Sequence, residues 1–232
     1  MSFLGNLAGN KAMKAHANRE YDKALALYEE AYNKGMDQLR MLRSYTILLI
    51  RMQHFDKALE VIKKMEKMPG LKPKDQSDLR INYSIILWKK GHLDRALEIL
   101  NDEFRHTKVG TLYSILGYLK IEKGDAEDAL AFNLEALEYD DSDAVFLDNL
   151  AQTYYRLLGD KENAKVYFER AIKAKPEAID TNYFLALYDI DAGNYAGARE
   201  KLDTARAGFF SPLNYATPEL IEQKLAEIKD KA

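Results

Sequence analysis

The feature that most constrains this chain is a phrase that returns about every 34 residues. Tyr21-Asp22-Lys23-Ala24-Leu25, Phe55-Asp56-Lys57-Ala58-Leu59, Leu93-Asp94-Arg95-Ala96-Leu97 and Ala126-Glu127-Asp128-Ala129-Leu130 are near copies, and weaker ones stand at Glu162-Asn163-Ala164 and Tyr195-Ala196-Gly197-Ala198. Their alanines lie 34, 38, 33, 35 and 34 residues apart. A repeat of this length is one supersecondary unit, too small to bury its own apolar face, so its copies must pack on one another.

The order within each copy points to a helical hairpin. Twelve residues before each anchor alanine, thirteen in the fifth copy, stands a small residue: Ala12, Thr46, Ser84, Gly117, Ala151 or Ala186. Seven after it come Ala31, Met65, Glu103, Ala136, Ala171 and Ala205. Two antiparallel helices approach to about 8 Å only where the crossing side chains are small. Four after the anchor, on the same helix face, Tyr28, Ile62, Leu100, Phe168 and Leu202 fill the space, and Asn133 breaks that series, which predicts looser packing in the fourth copy. Gly91, Gly124, Gly159 and Gly193 fall between the two helices of their copies, where a left-handed residue ends a helix cheaply. Met68-Pro69-Gly70-Leu71 absorbs the excess of the long second interval, and one extra residue within Leu157-Leu158-Gly159-Asp160 accounts for the interval of 35.

With these positions the chain resembles the tetratricopeptide repeat family. The fifth copy carries the pattern most fully, in Leu150-Ala151, Tyr154, Ala164, Phe168, Ala171 and Pro176; the fourth offers Leu116-Gly117, and the sixth Leu185-Ala186 with Ala198. The family's tryptophan is missing from its usual place, and the one tryptophan, Trp88, falls late in a first helix. The expected fold class is all-α, a right-handed α-solenoid of about six helix-turn-helix repeats near 5–38, 39–76, 77–109, 110–143, 144–178 and 179–211. Residues 212–232 read as a C-terminal capping helix. Thr217-Pro218-Glu219 starts it, and Leu220, Ile221, Leu225 and Ile228 form its apolar stripe. The N-terminal end shows no matching cap, and Phe3, Leu4 and Leu7 form either its plug or a contact surface.

Little in the chain can do chemistry. Cysteine is absent, which removes disulfides and thiolate chemistry. No phosphate-cradling loop, nucleophile elbow or complete calcium loop occurs, and Asp140-Asp141-Ser142-Asp143 reads as a connector that caps the next helix. His54 and His92 repeat a turn position with no further ligands at metal spacing. The expectation is a chain that is not an enzyme, with no cofactor and no metal site. No stretch reaches the roughly 18 apolar residues of a membrane span, and Met1 to Gly5 do not open a leader, so the expected place is the cytoplasm. Residues 1–110 hold 20 Lys+Arg against 14 Asp+Glu and residues 111–232 hold 14 against 23, a lengthwise dipole of +6 and −9 without the basic footprint of a nucleic-acid binder.

The family resemblance implies a concave surface lined by the first helices. Its facing positions, counted from each anchor, are Gly9 and Met13, Arg43 and Ile47, Ile81 and Ile85, Ser114 and Tyr118, Asp148 and Gln152, Tyr183 and Leu187, and one turn later Arg51, Lys89, Glu122 and Arg156. Arg43, Ile47, Arg51, Ile85, Lys89, Ser114, Tyr118, Asp148, Gln152, Tyr183 and Leu187 are therefore the candidate partner-binding residues. The isoleucines read equally as packing between first helices, whereas Tyr118 and Tyr183 are expected to keep a wet end. The basic and asparagine positions with which some family members clamp the carboxylate of heat-shock chaperones are unmatched apart from Arg43. The expected function is a protein-interaction scaffold that holds a protein or peptide with apolar anchors and an acidic end, with neither nucleic acid nor membrane as partner. The alternative is a self-assembling structural protein, a homo-oligomer joined through its N-terminal end or its oppositely charged halves.

Overall fold

Small residues where two helices cross are what the repeat demands of each hairpin, and the computed structural model shows them there. It describes residues 3–231; Met1, Ser2 and Ala232 lie outside the described residues, so the reading of the chain start is described only from Phe3. Among those residues there are thirteen α-helices and no strand. All six anchor alanines and all six small residues of the first helices are buried. So are the larger residues four beyond each anchor, Asn133 included.

The chain divides into two units, one ending at Ile99 and one beginning at Leu100. The first contains α1 (Phe3–Ala17), α2 (Tyr21–Asn33), α3 (Leu39–Arg51), α4 (Phe55–Glu66), α5 (Pro73–Lys89) and the start of α6 (Leu93–His106). α1 packs on α2 and α3 on α4, and the first helices α1, α3 and α5 also touch in sequence. Pro73 occupies the first turn of α5, where its missing N–H costs nothing, and the loop from Lys67 to Lys72 takes up the long second interval. Helices close through left-handed residues, here Arg19 and Gln53, both at φ 63°. They stand five before their anchors, where the later copies have Gly91, Gly124, Gly159 and Gly193, all at positive φ.

The second unit contains the end of α6, then α7 (Gly110–Lys123), α8 (Ala126–Tyr139), α9 (Ala144–Gln152), α10 (Lys161–Ala174), α11 (Ile179–Asp191), α12 (Tyr195–Arg206) and α13 (Pro218–Glu227). Side-chain caps open several of these helices: Asp125, Asp160 and Asn194 each accept from an N–H three residues on, and Asp143 accepts from both Val145 and Phe146. The extra residue of the fifth copy is not in the turn. It widens the end of α9 into a π-helical stretch, Thr153–Leu158, that closes on Gly159, so the helix takes up the insertion as a bulge and the turn keeps its length.

Asn133 also differs from its expectation. The fourth copy is not loose there, because Asn133 Nδ2 donates to the Gly117 carbonyl at 3.3 Å and to Thr153 Oγ1 at 3.1 Å. Gly117 leaves the room, since a Cβ at that position would run into Asn133 Oδ1. The end of the second unit closes over Tyr183, Phe184 and Leu202, with Ala216, Ile221 and Ile228 buried against this cluster. Thr217 Oγ1 caps α13 by accepting from Leu220 N–H.

Candidate functional site

Two first-helix faces, one in each unit, carry the candidate residues, and they are built differently. In the first unit Arg43, Ile47 and Arg51 stand four apart on α3 and share one face. Ile47 is 47% exposed although its neighbours Leu48, Leu49 and Ile50 are buried. An isoleucine left in water between two half-buried arginines is the apolar spot of this face. Arg43 is already engaged: its guanidinium forks onto Asp75, at 3.0 Å, and Asp78, both on α5. It is a strut between first helices, and the acidic end expected to meet it has no open cation there. Arg51 lies 5.3 Å from the ring centroid of Tyr21. Burial, aided by Arg51, lowers the pKa of His16 beneath that arginine, which keeps its imidazole neutral at neutral pH. Lys89, exposed at the end of α5, rests 3.8 Å from the ring centroid of Trp88. Ile81 and Ile85 are buried, so of their two readings the structure takes packing.

In the second unit most candidates point into the protein. Tyr118 and Tyr183, expected to keep a wet end, are each 4% exposed, and Asp148 and Gln152 are buried as well. Only Ser114 and Leu187 are partly open, and the Ser114 hydroxyl donates to the Gly110 carbonyl. The reason is a buried polar network. Asp148 accepts from Thr181 Oγ1 at 2.6 Å and from Gln152 Nε2 at 2.7 Å. Gln152 Oε1 in turn accepts from Arg156 at 3.0 Å, and the other arm of that guanidinium meets Glu122 at 2.7 Å. One helical turn before Tyr183, Asp180 accepts from the N–H of Ala216 at 2.9 Å, the N–H of Tyr215 at 3.0 Å and Asn214 Nδ2 at 3.3 Å.

Two buried carboxylates close to one arginine cannot both be charged without cost. Burial, together with repulsion from Asp180, pushes Asp148 up to about 7. Burial also raises Asp180, while the main-chain N–H groups of Ala216 and Tyr215 work the other way. The proton belongs on Asp148. Its hydroxyl partner Thr181 can turn to accept, whereas the N–H donors on Asp180 cannot reverse.

Residues 144–177, the fifth hairpin, match the family model of the tetratricopeptide repeat. In fold, the chain is an all-α helical-repeat solenoid like those of tetratricopeptide-repeat proteins. A tetratricopeptide repeat protein from Parabacteroides merdae is similar with a TM-score of 0.74 at 12% identity, over 97% of this chain and 84% of that one. A thermophilic protein of the same kind from Thermus thermophilus gives 0.60 at 20% identity, over 84% and 99%. The C-terminal part of a repeat-containing protein from Cytophaga hutchinsonii gives 0.55 at 17%, over 96% and 83%. At these identities the likeness is one of fold. No curated protein matches the sequence.

The residues that sequence reasoning missed are Asp180, Thr181, Asn214 and Tyr215. Asp180 and Thr181 stand three and two before Tyr183 in the first turn of α11. An acid at a helix N-terminus reads as an ordinary dipole partner, and nothing local shows that a segment from beyond α12 will return to it. No group of three His, Cys, Asp or Glu with metal-site geometry occurs among the described residues, and no described helix is long and apolar enough to cross a membrane.

Proposed function

We propose that the chain is a non-catalytic interaction scaffold whose first-unit face receives a protein segment with an apolar anchor and acidic flanks. The observation that carries this reading is Ile47, an apolar side chain left half in water on a row with Arg43 and Arg51. Its folded neighbours gain nothing from that exposure, so a partner's apolar side chain is the natural cover, and Arg51 and Lys89 would favour carboxylates beside it. Arg43 supports the face from below through Asp75 and Asp78. The test is capture from native lysate with wild type and with Ile47→Asp/Lys89→Glu, both shown to melt alike. A partner held by wild type and lost by the variant supports the reading, and equal capture by both sinks it.

Self-assembly is the second reading, and one observation favours it. Phe3, Leu4 and Leu7, on α1, are 77%, 66% and 50% exposed. If they join copies, mass by light scattering rises with concentration in wild type and stays at one chain in Leu4→Asp/Leu7→Asp. A mass independent of concentration in wild type removes this reading.

A further inference from the structure

The α11 end of the second unit's first-helix face is covered by the protein's own chain, and the way it is held specifies a ligand. After α12 the segment 209–217 runs back across α11 without forming a helix. Asp180 receives it through two consecutive main-chain N–H groups, Tyr215 and Ala216, and through the Asn214 amide. The Tyr215 ring is stacked on Phe184, with centroids 5.1 Å apart, and the Arg156 guanidinium lies 4.2 Å from the same ring centroid. Ala216, next in sequence, is 1% exposed, so the site takes only a small side chain there. Ser211 and Asn214 form a turn, with Asn214 Oδ1 accepting from Ser211 N–H at 2.8 Å, that sets the direction of approach.

Main-chain donors read by a fixed carboxylate, one ring held between an aromatic face and a cation, and a small residue after it are how an extended peptide is recognised. None of these contacts needs the covalent link to α12. We infer that this face is a binding site for an extended segment carrying tyrosine followed by a small residue, and that residues 211–217 occupy it as an internal ligand. A tethered occupant acts at an effective concentration of about millimolar, so an outside segment of the same chemistry is excluded until the tether loosens. This deepens the scaffold reading and rests on it. It is read on a different surface from Ile47, so a failure of this test and a failure of the Ile47 test are distinguishable.

The test uses the full chain with Tyr215→Ala and a fluorescent peptide of the sequence of residues 209–217, followed by anisotropy. A second peptide replaces its tyrosine with alanine. The Tyr215→Ala chain should bind the first peptide at least about tenfold more tightly than wild type does, as release of a tethered competitor requires, and should bind the second at least about tenfold more weakly than the first. Tyr215→Leu, which keeps an apolar filler beneath Arg156, serves if the alanine chain does not fold. A folded variant that binds neither peptide, or both equally, overturns the inference.

Discussion

Asp148→Asn should make the second unit more stable at alkaline pH, which is the reverse of what removing a hydrogen-bonded buried charge ordinarily does. Asparagine imitates the protonated acid. It can accept from Gln152 on one side and donate to Thr181 on the other, in the places where the carboxyl now meets them at 2.7 and 2.6 Å. The carboxyl of wild type is pushed from 3.8 up to about 7, first by burial and then by Asp180. Between those values the folded chain holds a proton that the unfolded chain has released, so stability falls as pH rises through the window. A rise of about three units corresponds to about 4 kcal/mol in full, of which about 2–3 kcal/mol falls between about pH 5 and about pH 8. The variant has no such group, and subtracting the two curves removes the titrations that Asp148 does not perturb, leaving its own and its effect on Asp180. Urea unfolding of both chains by far-UV circular dichroism, at steps across that range, measures the difference. It should grow in favour of the asparagine variant by about 2–3 kcal/mol toward high pH. A difference flat to within about 0.5 kcal/mol would mean that Asp148 is charged throughout and that the proton has been placed on the wrong group.

Gly117→Ala sets a methyl against Asn133 Oδ1 and the Asn149 amide, both held by hydrogen bonds within the second unit, and should cost about 1–3 kcal/mol, read as a lower urea midpoint. An unchanged midpoint would show that the asparagines give way freely. Gln53→Gly, at φ 63° in an exposed turn, should stabilise by about 0.5–1 kcal/mol because glycine pays no left-handed penalty there. A destabilised variant would mean that the Gln53 side chain contributes more than its backbone costs.

The hairpins were legible because steric exclusion leaves a residue-level trace. A helix crossing admits only small side chains, so Ala24, Ala58, Ala96, Ala129, Ala164 and Ala198 could be read from spacing alone, and all are buried. The glycine turns were legible for a similar reason, while Arg19 and Gln53 were not, because a polar residue at positive φ carries no mark in the sequence. Asn133 misled because a polar residue in an apolar slot looks like a defect until Gly117 and Thr153 are seen beside it. On the candidate faces, periodicity marked which residues lie on the first helices and not what covers them. Tyr118 and Tyr183 lie on first helices, but both are buried, and residues 214–216 return onto Asp180 one turn before Tyr183. Such a closure depends on where residues 209–217 travel, which no helical period encodes.

The π-helical stretch after α9 has a consequence for how far the repeats can stand in for one another. Arg51, Lys89 and Glu122 hold the corresponding place in earlier copies, seven residues before their anchors, and Arg156 holds it eight before. That one residue is spent inside the helix, over Thr153–Leu158, the stretch that carries Arg156 onto Tyr215. A consensus copy built from the other hairpins and exchanged into the fifth position would keep every small residue at its crossing and turn this arginine by about 100°, one residue of an α-helix. The modules are interchangeable as architecture, and at the fifth position they are not interchangeable as contacts.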